Sequence, residues 1–165
     1  MKTPICEVCL NSDMLCGGCE QKLNNGLLSQ ADINVSRELY KLSDKNKSLE
    51  DIVLKKVIDA DVMLIISGKG DAAKLIGKKG VVVKSLAQKF EKNIKILEES
   101  DFNNFSKEFF SPVPILGVNV VYSQGGEKHK IRLPAAHKEK LGMSLKEIPA
   151  VFKNIFNKEI EVSFE

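Results

Sequence analysis

The stretch Leu75-Ile76-Gly77-Lys78-Lys79-Gly80, with the amphipathic run Val81 to Asn93 behind it, decides how this chain reads. Two glycines bracket two lysines where a short helical segment, Asp71 to Ile76, hands over to a longer one. Glycine lets the backbone turn sharply and lie bare. The following helix contributes unpaired N–H groups and the positive end of its dipole at its first turn, while Lys78 and Lys79 bring full charges. The natural ligand of such a turn is an anionic chain.

The flanks give the turn its context. Val83, Leu86, Ala87, Phe90 and then Ile94 recur at helical spacing and are expected to form a core face, whereas Lys84, Gln88, Glu91 and Lys92 point elsewhere. Upstream, Val62 to Ile66 is a continuous apolar run rich in strand formers, and downstream Ile94 to Leu97 alternates before Glu98 and Glu99. Farther back, Ser29-Gln30-Ala31-Asp32 is a variant capping box that opens a helix to about Leu42, with Ile33, Ser36, Leu39 and Tyr40 toward one face. A polar link, Ser43 to Ser48, leads to a strand at Ile52 to Ile58, joined through Asp59 and Ala60 to the next strand as a hairpin. The order is helix, strand, strand, helix, turn, helix, strand.

This segment resembles a KH domain of the type II, prokaryotic arrangement, a module that binds single-stranded nucleic acid. Its signature is an Ile-Gly-x-x-Gly turn between two helices, matched here by Ile76, Gly77, Lys78, Lys79 and Gly80. In that family the turn clamps the sugar-phosphate backbone of about four nucleotides beside an apolar groove. The resemblance implies single-stranded RNA as partner, with Lys78, Lys79 and Lys84 near phosphates and Ile76 at the groove wall. The competing reading is a glycine-flanked helix break on a solvated lysine face.

From Asp101 the pattern begins again. Asp101 to Phe110 is a helix with Phe102, Phe105 and Phe109 at core spacing, stopped by Ser111-Pro112-Val113-Pro114. Ile115 to Tyr122 and Lys128 to Leu133 read as strands joined through Gln124 to Glu127. Pro134 opens a helix to about Leu141. Ser144 to Asn157 supplies another, with Leu145, Ile148, Val151, Phe152 and Ile155 as its buried face, and Ile160 to Phe164 alternates as a last strand. Lys140-Leu141-Gly142-Met143-Ser144 stands where the lysine turn stood, with one glycine left and the paired lysines gone. The expected fold is α+β, with two consecutive type II KH-like units, each α-β-β-α-α-β with a three-stranded sheet. The expected boundaries are a four-cysteine segment at 1–27, a KH domain at 28–100 and a degenerate second copy at 101–165.

All four cysteines lie near the start, as Cys6-Glu7-Val8-Cys9 and Cys16-Gly17-Gly18-Cys19. Four thiolates in two such pairs can close a tetrahedral zinc shell with no open coordination position, so structural zinc is the favoured reading. An iron–sulfur cluster, rubredoxin-like iron and two disulfides are the alternatives. The loop between the pairs is too tight for a full ribbon sheet, and a metal-clipped hairpin running into a helix at Glu20 to Asn24 is expected.

The composition of the 165 residues, 43% hydrophobic and 28% charged, is globular, and a formal net charge of +3 is too small to identify a partner by itself. Its distribution says more. Between Asp71 and Lys92, Lys74, Lys78, Lys79, Lys84, Lys89 and Lys92 face only Asp71 and Glu91. No apolar run approaches the ~20 residues that cross a bilayer, and Met1 to Pro4 leads into cysteine rather than a signal-peptide core, so the expectation is a cytoplasmic protein with no membrane partner.

An enzyme is not expected. His129 and His137 sit in lysine-rich surroundings, read as surface positions, without a nucleophile or carboxylate at motif spacing. Gly68-Lys69-Gly70 lacks the spacing and terminal Lys-Ser/Thr of a Walker loop, and no small-molecule substrate is implied. Tandem units of this order, with a four-cysteine clip ahead of them, are similar to the NusA-like KH proteins of archaea. That resemblance implies transcription elongation or termination, with RNA polymerase as a further partner. The alternative function is a zinc-dependent adaptor for polymerase or ribosome with a vestigial KH turn.

Overall fold

Two helices of the first half begin on a side-chain cap, at Cys16 and at Ser29. The computed structural model describes residues 1–165, which divide into two units, 1–99 and 100–165. In unit 1, α1 (Glu7–Leu10) and α2 (Gly17–Asn24) each start directly after the first cysteine of a pair, with Cys6 and Cys16 as extended N-cap residues. The expected hairpin does not form. Helical turns replace it because first-turn N–H groups can point at sulfur, as the Cys19 N–H does toward Cys16 Sγ at 3.4 Å.

The next helix, α3 (Gln30–Ser43), opens on a complete capping box. Ser29 Oγ accepts the Asp32 N–H at 3.1 Å, and Asp32 Oδ2 accepts the Ser29 N–H at 2.9 Å. Three strands follow, β1 (Leu54–Asp59), β2 (Met63–Ser67) and β3 (Ile94–Glu98), in the order β1-β2-β3. The first pair is antiparallel, the second parallel. The central strand β2 is buried at every position, as its unbroken apolar run requires. Two helices, α4 (Ala72–Ile76) and α5 (Val81–Phe90), fill the connection from β2 to β3.

One core joins these elements. Val35 and Leu39 of α3 pack with Val57, Met63 and Ile65 of the sheet and with Leu75, Val82 and Leu86 of α4 and α5. Each such side chain, fully buried, stabilises by about 1.5–3 kcal/mol. Leu86 is buried and Phe90 packs on the core as expected, but at the start of the helix Val82 is buried and Val83 only half-buried. Gly77 lies against Val82. The helix also ends at Phe90, because Glu91 turns left-handed at φ 53°.

Unit 2 repeats the pattern with different packing. α6 (Phe102–Phe110) is capped by Asp101, whose carboxylate accepts the Asn104 N–H at 2.8 Å. β4 (Gly117–Ser123), β5 (Gly126–Leu133) and β6 (Glu159–Phe164) form a second sheet in the order β4-β5-β6, antiparallel then parallel. α7 (Ile148–Phe156) lies between β5 and β6. An aromatic cluster binds α6 to α7, with Phe105 and Phe152 5.7 Å apart and Phe109 and Phe152 5.1 Å apart.

Two expected helices are shorter or tighter. Pro134 leads into a 3₁₀ turn at Ala135–Lys140, and the helix expected from Ser144 begins only at Ile148, leaving Leu145 exposed. The architecture is α+β, with two three-stranded sheets and a four-cysteine cluster near the amino terminus.

Candidate functional site

The lysine turn is built by backbone conformations that few residues tolerate. Gly77 has φ 79° and ψ 171°, a combination essentially restricted to glycine. A Cβ there would meet Val82 Cγ2 at 2.7 Å. Lys79 and Gly80 follow in the left-handed region, at φ 57° and 75°, before α5 begins. These turns leave the peptide backbone at the surface and throw both lysine side chains outward.

Lys78, Lys79 and Lys84 are all exposed, and none makes an ion pair. The Lys84 stem passes close over Gly80, with its Cε 3.6 Å from where a Cβ would stand, so its ammonium belongs to the same patch. Ile76 is 42% exposed and Val81 51% exposed on either side of the turn, giving an apolar border to a cationic surface. Sequence reading treated Val81 only as the helix's first residue. Its exposure follows from the phase that buries Val82.

The wider lysine cluster is less free than its count suggests. Lys74 pairs with Asp71 at 3.5 Å, and Lys92 binds Asp59 while donating to the Ala60 carbonyl at 2.9 Å. Asp71 also accepts the Val53 N–H at 2.9 Å, which ties the start of α4 to the segment entering β1. The unpaired charge is therefore confined to the turn and the exposed flank of α5.

Cys6, Cys9, Cys16 and Cys19 come together, their sulfurs all within 4.8 Å of one another. Cys6 Sγ lies 3.4 Å from Cys9 Sγ and 3.7 Å from Cys16 Sγ, close to the sulfur separations of a tetrahedral four-thiolate shell. Backbone N–H groups point at the sulfurs, from Cys16 to Cys9 Sγ at 3.1 Å and from Cys6 to Cys19 Sγ at 3.5 Å. The donor set fits a thiophilic metal ion.

The metal-free thiols are unequal. The Cys19 N–H and the neighbouring thiols lower Cys16 to about 6. At Cys9 the Cys16 N–H pulls the pKa down, but burial and hydrogen bonds from the other thiols outweigh it and push it up to about 12. Cys19 is likewise raised, the pull of the Cys6 N–H being overcome by burial and by Cys16.

Unit 2 has no comparable turn. Gly142 keeps an ordinary backbone conformation, outside the left-handed region, and Met143 beside it is buried. Part of the positive charge of this unit is also neutralised, since Lys128 pairs with Glu161 at 3.5 Å and Arg132 with Glu165 at 3.3 Å. His129, expected at the surface, is buried with its ring 4.9 Å from that of Phe102. Strand alternation puts it on the covered face with Ile131 and Leu133.

No family model and no curated protein matches the chain. Among solved structures, one described as the crystal structure of APE1850 aligns with a TM-score of 0.59 and 23% identity, over 78% of this chain and 96% of that one. At that identity the likeness is one of fold. No helix is long and apolar enough to cross a membrane.

Proposed function

We propose that unit 1 is a type II KH-like module that grips the backbone of single-stranded RNA at Gly77 to Gly80, in a NusA-like role in transcription elongation or termination. The observation that carries the reading is an exposed, twice left-handed turn whose Lys78 and Lys79 have no carboxylate partner and whose borders, Ile76 and Val81, are apolar and exposed. Phosphates take the lysines and unstacked bases take the apolar border, while the Gly77 and Gly80 N–H groups are held inside the turn by the Ala73 and Gly77 carbonyls. The strand order β1-β2-β3, antiparallel then parallel, with α4 and α5 between β2 and β3, supports this reading.

Cys6, Cys9, Cys16 and Cys19 would hold zinc in this account. Bound there, the ion supplies cross-linking alone, because four cysteines leave no position for a substrate. The role proposed for the turn is binding rather than catalysis.

The test is fluorescence anisotropy with a labelled single-stranded RNA oligonucleotide, comparing the wild-type chain with Lys78→Asp/Lys79→Asp. Reversing two exposed charges leaves the core untouched, so binding should fall at least tenfold at an unchanged unfolding midpoint. Unchanged affinity would remove RNA gripping from this turn. A second reading, a zinc-dependent adaptor for polymerase or ribosome, draws on Val8, Met14 and Leu27, which are 70–78% exposed on the cysteine segment. An adaptor keeps its partner after nuclease treatment, whereas an RNA binder releases most of it.

A further inference from the structure

We propose that Arg37, on α3, is the positioning residue of the cysteine cluster: it fixes the span of the loop between the two cysteine pairs and so couples metal affinity to the seating of α3. The proposal rests on the metal-binding reading of the cysteines given above. Arg37 donates through Nε to the Cys9 carbonyl at 3.1 Å and through Nη2 to the Met14 carbonyl at 3.4 Å. One rigid guanidinium thus bridges the exit of the first pair and the approach to the second. The same loop is closed from within by the Cys16 N–H, donated to Cys9 Sγ at 3.1 Å.

Charge favours the same placement. A divalent ion with four thiolates carries a net charge of −2, and Arg37 brings a cation to the backbone of that cluster without pairing with any carboxylate. Lysine would bring the charge but not the two-pronged geometry.

The helix that carries Arg37 belongs to two cores. Ile33 and Tyr40 pack with Ile5, Cys9, Leu10, Cys19 and Leu28 around the cysteines, while Val35 and Leu39 pack into the core that contains Val82 and Leu86 of α5. A second tie runs from the amino terminus, where Lys2 bridges Val53 through the Lys2 N–H to Ile52 and the Leu54 N–H to Lys2. Since coupling is reciprocal, whatever loop geometry α3 gives the metal, the metal returns as stability to α3.

The experiment is zinc competition against a chromophoric chelator on the full chain, for wild type, Arg37→Ala and Arg37→Lys, with thermal unfolding measured in the presence and absence of zinc. Both variants should still bind one equivalent at saturation, about tenfold or more weakly, as when other residues that orient metal ligands are removed. The rise in unfolding midpoint on adding zinc should shrink in both. Wild-type affinity in Arg37→Ala, or full recovery of affinity in Arg37→Lys, would overturn the proposal. Were Arg37→Ala to misfold, Arg37→Lys decides alone. A wild-type chain that binds no zinc would overturn the metal reading itself, and this shows before any variant is compared.

Discussion

Gly77 and Val82 sit so close that a Cβ on the glycine would lie 2.7 Å from Val82 Cγ2 and 2.9 Å from the Val82 backbone nitrogen. Val82 is buried behind this approach, and Val81 stays exposed beside the lysines. Gly77→Ala should therefore cost about 2–4 kcal/mol in urea unfolding of unit 1, from a disfavoured backbone conformation together with overpacking. A loss below about 0.5 kcal/mol would mean that the turn relaxes freely and is not rigid.

Lys79 separates charge from conformation. It holds a left-handed conformation at φ 57°, which costs a non-glycine residue about 1–2 kcal/mol. Glycine removes that strain but adds chain entropy of about 0.5–1 kcal/mol. Lys79→Gly should thus stay within about 1 kcal/mol of wild-type stability while binding single-stranded RNA several-fold more weakly. Anisotropy and urea titration on the same sample check both halves.

Asp32 joins two elements with one carboxylate. Besides closing the capping box of α3, it accepts the Val57 N–H of β1 through Oδ1 at 2.6 Å, and it is buried. Asp32→Ala opens the reciprocal half of the capping box, Ser29 Oγ still capping the helix, and leaves the buried Val57 N–H unsatisfied, for a loss of about 2–4 kcal/mol. A change under about 1 kcal/mol in chemical denaturation would contradict this pinning role.

Zinc affinity should rise steeply with pH. Cys9, at about 12, and Cys19, also raised, hold their protons at neutral pH, so the metal displaces at least two. Affinity should then increase at least hundredfold per pH unit near neutrality, and more steeply below the Cys16 value of about 6, where a further proton must leave. Competition titrations corrected for chelator protonation measure the slope, and a dependence of one proton or fewer would contradict it.

Much of this arrangement is legible in the residues. The Ser29-to-Asp32 box, the unbroken apolar run of β2 and the phenylalanine spacing of α6 each encode their local structure directly, and the two cysteine pairs encode their convergence but not the helical turns that carry them. What sequence hides is set by distant partners. Three valines in a row do not show which of them is buried, and Val82 is the one packed against Gly77 and the core. The pairing of Lys128 with Glu161 and of Arg132 with Glu165 depends on the parallel register of β5 and β6, which no local pattern specifies. Arg37 reads as one more charge on a helix until the cysteine loop is folded against it. His129 shows that alternation outweighs lysine neighbours, since its strand position alone sends it inward.

The most direct measurement of the central claim is the salt dependence of single-stranded RNA binding in the wild type and in Lys78→Ala/Lys79→Ala. With Lys78, Lys79 and Lys84 each neutralising one phosphate, the log–log slope should be about −2 in the wild type and about −0.7 in the double variant, where Lys84 alone remains. Equal slopes in the two proteins would contradict the account and place the RNA elsewhere on the chain.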